Sequence, residues 1–242
     1  MNNAQPGVTL VMGAEQDARS FARPPQGHTA VLFDLDGTLL DSVELIVQSY
    51  THAVTTHLGG PVDRDGVLAT IGLPLGPILE ALAPGQGALL LETYRAYMSE
   101  HHNRMARLFP GAGETLRALR ARGYQLGIVT SKSRASARLA FDLFALETLV
   151  DVTVCFDEVS RPKPAPDPLL AAAARLGVAP AACLYVGDTP HDMQAAQAAG
   201  MCAVAAPWGA GTHTALLAAA PGLWLATLAD LLDHCPAVDG SR

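Results

Sequence analysis

The run Ala30-Val31-Leu32-Phe33 passes directly into Asp34-Leu35-Asp36-Gly37-Thr38, and that junction constrains the chain more than any other feature. Four apolar residues without polar alternation predict a strand buried on both faces, as in a parallel sheet covered by helices. In open α/β sheets, ligands bind outside the carboxyl ends of the strands. Two aspartates placed there are costly to desolvate and add little to packing, so a ligand site is the reading that accounts for them. Asp36-Gly37 would also suit a two-residue hairpin, but an alternating strand should then follow. Instead Leu39, Leu40, Val43, Leu45 and Ile46 lead into helical spacing.

Downstream, Ser42 to Leu58 reads as a helix stopped by Gly59-Gly60-Pro61. The glycines and prolines of Ile71-Gly72-Leu73-Pro74-Leu75-Gly76-Pro77 mark a loop, and Gly87 to Arg107 reads as a long amphipathic helix. No strand pattern lies between Asp41 and Leu108. From Phe109 the rhythm changes. Strands are predicted over Gln125–Val129, Val150–Cys155, Ala182–Val186, Cys202–Ala206 and Leu223–Leu225. The predicted helices are Gly113–Arg122, Ser133–Phe144, Asp167–Leu176 and a segment ending at Ala199. Such alternation predicts an α/β doubly wound, Rossmann-like parallel sheet, interrupted after its first strand by a helical insertion.

The chain carries a formal charge of −7, with no cluster of lysine and arginine, which excludes a basic nucleic-acid surface. No apolar run is long enough to span a bilayer. Residues 1–28 hold a short apolar patch, Val8 to Met12, without a basic flank. They read as a flexible N-terminal extension rather than a secretory signal. Cys155, Cys183, Cys202 and Cys235 form no C-x-x-C pair, so reduced thiols and a cytoplasmic location are expected. Of 16 basic residues only two are lysines, Lys132 and Lys163. A compact point charge beside a phosphate is one role that arginine does not duplicate.

Four polar clusters follow predicted strands or lie in the connections beside them: Asp34/Asp36, Thr130-Ser131-Lys132, Arg161-Pro162-Lys163-Pro164, and Gly187-Asp188-Thr189-Pro190-His191-Asp192. Individually each has an ordinary structural reading, for example Asp188 as a helix cap or Asp192 as a first-turn acid. Together, at strand ends facing one crevice, they define a site. In order they are DLDGT, a hydroxyl residue after the second strand, a lysine, and GD-x-x-x-D. On these motifs the chain resembles the haloacid dehalogenase superfamily from Thr29 to about Trp208.

That resemblance implies a core of residues 29–42 and 109–235 and a helical cap of residues 43–108. It implies that Asp34 attacks phosphorus to form an aspartyl-phosphate and that Asp36 serves as acid, then base. Asp34, Asp188 and the Asp36 carbonyl would hold Mg²⁺, with Asp192 behind them. Thr130, Ser131 and Lys163 would bind the phosphoryl group; Lys132 matches no fixed position. Asp36 sets the chain apart from the dehalogenases themselves. The lack of a lysine between Asp41 and Leu108 sets it apart from the phosphonate hydrolases. No P-loop, G-x-S-x-G, H-E-x-x-H or dinucleotide fingerprint is present.

The insertion resembles that of phosphoglycolate phosphatases and bacterial pyrophosphatases, through Ile71-Gly72-Leu73-Pro74-Leu75, Tyr94-Arg95 and Glu100-His101-His102. Arg95, His101, His102 and Arg104 are the cap cations available to a small anionic substrate. The expectation is a Mg²⁺-dependent phosphatase, monomer or homodimer, acting on a small phosphorylated metabolite without nucleic-acid or membrane partners. A sugar phosphate mutase and an inactive binding module on the same scaffold are the alternatives.

Overall fold

A computed structural model describes residues 27–238; the expected extension lies almost wholly outside the described residues. Six parallel strands form the main sheet: β1 (Ala30–Phe33), β4 (Gln125–Thr130), β5 (Val152–Cys155), β6 (Cys183–Gly187), β7 (Cys202–Ala205) and β8 (Leu223–Trp224). Their order is β5-β4-β1-β6-β7-β8, so β1 lies inside the sheet. Ala30 pairs with Gln125 on one side and Cys183 on the other. Side chains alternate faces along the strand. Accordingly Val31 and Phe33 join one buried cluster with Leu126, Ile128, Leu184 and Val186. Ala30 and Leu32 join a second with Val129, Cys183 and Tyr185. An uninterrupted apolar run is what burial on both faces requires.

The strand order reverses at β1. From it the chain proceeds outward to β4 and β5 on one side, and through β6, β7 and β8 on the other. The crevice at the carboxyl end of β1 is therefore the switch point where such sheets take ligands. Helices α5 (Ala112–Ala121), α6 (Arg134–Phe144), α7 (Asp167–Leu176), α8 (Pro190–Ala198), α9 (His213–Ala218) and α10 (Leu231–His234) accompany this sheet.

Between β1 and α5 stand four helices: α1 (Val43–His57), α2 (Arg64–Thr70), α3 (Leu75–Leu82) and α4 (Gly87–Met105). They are framed by two-residue strands, β2 (Leu40–Asp41) and β3 (Arg107–Leu108), which pair antiparallel. These strands bring the two ends of the insertion together beside the crevice. The buried stripe of α4 runs Gly87, Leu90, Tyr94, Met98 and His102, the three-and-four spacing of one helical face. Its first turn takes no cap from Gln86. The Glu80 carboxylate instead accepts from Gly85 N–H (2.7 Å) and Gly87 N–H (3.1 Å). The expected loop over 71–77 ends earlier than predicted. Leu75, Gly76 and Pro77 form the first turn of α3, where proline loses no intrahelical hydrogen bond.

Candidate active site

Asp34 begins where β1 ends, and its N–H still donates to Val186 O at 2.9 Å. The chain then folds back tightly. Leu39 and Leu40 N–H both donate to Leu35 O, and Gly37 N–H donates to Leu40 O. Gly37 has φ +79°, and a β-carbon there would lie 2.2 Å from Asp188 Oδ2. Glycine meets both the left-handed backbone and the close approach. The DLDGT segment is thus shaped to admit a carboxylate arriving from β6.

Asp188 follows β6 and is fully buried. Its Oδ1 accepts from Thr38 Oγ1 (2.9 Å) and its Oδ2 from Ala210 N–H (2.7 Å). Asp192 sits in the first turn of α8 behind a capping box with Thr189. Its Oδ2 accepts from Thr189 N–H (3.0 Å) and Oγ1 (2.6 Å); Oδ1 accepts from Lys163 Nζ (2.6 Å) and Tyr185 OH (3.0 Å). Lys163 is buried as completely as the acids it serves. Its ammonium donates to Asp34 Oδ1 at 2.8 Å and Tyr185 OH at 2.9 Å as well.

Carboxylate oxygens of Asp34, Asp188 and Asp192 all lie within 4.8 Å of one another. One lysine cannot neutralise three buried acids. Burial pushes the Asp34 carboxyl up to about 7, against the pull of Lys163 and with Asp192 adding to the rise. Burial, then Asp192 and Asp34, drive Asp188 well above the usual range. Asp192 goes the other way. Burial disfavours its charge, but Lys163 and the donors from Thr189 and Tyr185 hold it low. This oxygen-only, acid-rich set fits a hard divalent cation. Asp34 and Asp188 retain acceptor capacity for one, whereas Asp192 is spent on Lys163, Tyr185 and Thr189.

The sign of the Asp34 shift gives a testable consequence. A carboxyl raised from 3.8 to about 7 in the fold stabilises the metal-free protein fully below about pH 4, and that contribution disappears as pH rises through 7. Cation binding requires the ionised form. The melting-temperature gain from Mg²⁺ over EDTA is therefore expected to grow from pH 5 to pH 8. A gain that is flat across that range would contradict this account.

The second aspartate has different company. Asp36 Oδ1 accepts from Lys132 Nζ at 2.5 Å and Ser42 Oγ at 2.5 Å. Both lysines of the chain therefore reach the site, each against one aspartate of DLDGT. Scarcity of lysine was the sequence signal for Lys132; nothing in the sequence gave its partner. Thr38, Ser42, Tyr185 and Ala210 are further site residues missed at the sequence level: Thr38, Tyr185 and Ala210 meet partners distant along the chain, and Ser42 reaches Asp36 only because the turn after β1 folds back.

A cavity of about 320 Å³ opens over these groups, lined on the core side by Asp34, Asp36, Thr130, Ser131 and Lys132. On the cap side Ile71-Gly72-Leu73, Tyr94, Arg95, Met98 and Ser99 close it. Gly72 O accepts from Ser131 Oγ at 2.6 Å, so that hydroxyl holds the cap loop. Thr130 Oγ1 accepts from Lys132 N–H at 3.1 Å. Gly72 has φ +95°, and a β-carbon there would lie 2.7 Å from Thr189 Oγ1. Gly72→Ala should raise KM several-fold with little loss of melting temperature, because it strains the seated loop rather than the core. An unchanged KM would show that the loop seats without this close approach.

The cap cations divide. Arg95 lines the cavity. His102 is buried on the inner stripe with Nε2 unpartnered; burial holds its imidazole low, and Lys132 and Asp36 are among the charges acting on it. His101 points elsewhere, stacked on Tyr97 at 3.9 Å in a separate groove with His52 and Glu100. Arg104 is exposed and does not line the cavity. Helical phase takes Arg104 off the face that 94, 98 and 102 share, whereas His101 is turned aside by Tyr97, whose carbonyl oxygen lies 3.0 Å from its Nδ1.

A parallel sheet with acids at its switch point, a buried lysine between them and a helical cap above defines a phosphohydrolase-type scaffold. Residues 31–206 match the haloacid dehalogenase-like hydrolases, and the chain belongs to that family. Among its relatives, pyrophosphatase PpaX of Bacillus velezensis is 37% identical over 204 residues, covering 84% of this chain and 94% of that protein. PpaX of Bacillus cereus is 35% identical over 202 residues, covering 84% and 94%. In structure the chain resembles a hydrolase from Pseudomonas syringae, with TM-score 0.78, 29% identity and coverage of 86% and 97%. It also resembles a Haemophilus somnus protein described as a predicted phosphoglycolate phosphatase, with TM-score 0.77, 25% identity and the same coverages. Among the described residues no helix is long and apolar enough to cross a membrane.

Proposed function

We propose that this chain is a Mg²⁺-dependent cytoplasmic phosphatase acting on pyrophosphate or a small phosphoglycolate-type ester through an aspartyl-phosphate on Asp34. The observation that carries this reading is the Asp34 carboxylate itself, facing the cavity with Lys163 on Oδ1 and Asp188 within reach of a shared cation. Residues 43–108 serve as the cap over a core of 29–42 and 109–235.

Asp34 Oδ2 attacks phosphorus, and the electron pair of the scissile P–O bond moves to the leaving oxygen. Lys163 holds Asp34 oriented and lends positive charge to the phosphoryl oxygens. Thr130 Oγ1 and adjacent backbone N–H groups supply donors beside it. Asp36 gives a proton to the leaving oxygen, then takes one from the water that attacks the phosphoryl-aspartate. Asp34, Asp188 and the Asp36 carbonyl would hold Mg²⁺, which neutralises the carboxylates and withdraws charge from the transferring group. The cap excludes bulk water while the intermediate exists.

The test is a parallel measurement of kcat/KM for pyrophosphate, phosphoglycolate, sugar phosphates and nucleotides with Mg²⁺. Phosphate release above background on a small substrate supports hydrolysis. Transfer only in the presence of a sugar bisphosphate would instead indicate a mutase, and background rates throughout would indicate an inactive module.

A further inference from the structure

On the core side of the cavity, Lys132 is the charged group that the reaction above leaves without a task. It lines the cavity, its side chain 13% exposed, and its ammonium lies 2.5 Å from Asp36 Oδ1. The backbone beneath it is pinned: Lys132 N–H donates to Thr130 Oγ1 at 3.1 Å, and Lys132 O accepts from Phe156 N–H at 3.1 Å. The flexible four-carbon stem is left to move the charge. Asp36 has a second partner on the same oxygen, Ser42 Oγ at 2.5 Å. Departure of Lys132 would not leave its carboxylate unpartnered.

We infer that Lys132 determines specificity by exchanging partners, leaving Asp36 to bind a second negative charge carried by the leaving group. This rests on the phosphatase reading and narrows its substrate class to short phospho-compounds with an anionic leaving group, the phosphate of pyrophosphate foremost. The geometry gives the reason. Asp36 must face the leaving oxygen, so an anionic group bonded to that oxygen arrives where the Lys132 ammonium already sits. Arg95 borders the same cavity from the cap, with no ion pair among the described residues. It can close on the same anion. Exchange also clears the Asp36 carboxyl to meet the scissile bond, coupling recognition to chemistry.

The experiment measures kcat/KM of wild type and Lys132→Met with pyrophosphate, phosphoglycolate and p-nitrophenyl phosphate, whose aryl leaving group carries no second acid. The expected result is a fall of about 10²-fold or more in the pyrophosphate to p-nitrophenyl phosphate ratio, the scale for truncating one partner of a buried charge pair. A parallel fall for phosphoglycolate extends the site to carboxylates; retention there restricts it to phosphate. Lys132→Arg, which keeps charge, should restore part of the ratio. If Lys132→Met does not fold, Lys132→Gln carries the same comparison. An unchanged ratio, whether both substrates lose activity equally or neither does, overturns the inference while leaving hydrolysis intact. A wild-type protein that hydrolyses none of the three overturns the underlying reading with it.

Discussion

Asp34→Asn should yield a folded protein whose turnover falls by at least about 10⁴-fold, the scale for removing a covalent nucleophile. The amide keeps the shape of the side chain and can still accept from Lys163, now 2.8 Å from Oδ1. What it loses is the charge. In the metal-free protein that charge is a liability, since burial raises the Asp34 carboxyl to about 7 and Asp192 adds to the rise. Removing it relieves repulsion among three buried acids whose oxygens lie within 4.8 Å. The melting temperature in EDTA is therefore expected to equal or exceed that of wild type. The Mg²⁺-dependent increase should shrink, because an oxygen proposed to hold the ion has lost its charge. A rate assay and paired melts with EDTA and Mg²⁺ check the three statements together. Residual turnover within 100-fold of wild type would remove Asp34 as the nucleophile.

The same residues show how far the sequence carries. Ala30 to Phe33 was legible because continuous burial leaves an uninterrupted apolar run, and the acids after it were legible because nothing structural explains two of them. Strands β2 and β3 were not. Two residues each have no periodicity to read, although they fix the entry and exit of the cap. Helix α2 buries only Val67, so it presents no apolar stripe. Within the site, Asp192 illustrates a different limit. Its position in GD-x-x-x-D suggested a place behind the metal, but the motif does not name the partners its oxygens take, Lys163, Tyr185 and Thr189. Tyr185 sits within an apolar strand, and its hydroxyl finds Val129 O, Lys163 and Asp192 only once the chain is folded. Types and spacing reveal that charges gather; they do not reveal which charge faces which.

That distinction matters most at Lys163, where the largest stability effect is expected. Its ammonium is the only cation touching Asp34 and Asp192 among the described residues, and its side chain is 1% exposed. Breaking a buried pair from one side leaves the other charge desolvated and unpaired, a loss of about 3–5 kcal/mol. Lys163→Met, close in volume and without charge, should lose that amount in urea unfolding, or about 10 °C or more in melting temperature. Pairing Lys163→Met with Asp192→Asn removes the stranded charge and should recover a substantial part of the loss, which a general packing defect would not do. The pH dependence has a definite sign. Burial opposes the charged lysine, but Asp192 and Asp34 hold its proton above the normal 10.5, so its contribution is complete at neutral pH and lost only in strong base. Asp192, held below 3.8, loses its contribution only as pH falls through that lowered value. In Lys163→Met the burial that disfavours the Asp192 charge loses its main opponent, so the stranded carboxyl rises and takes a proton at lower pH. The stability gap between wild type and Lys163→Met should consequently widen from about pH 5 to pH 9 in Mg²⁺. A gap below 1 kcal/mol, or one that the second substitution leaves untouched, would mean that Lys163 serves catalysis without holding the acids together.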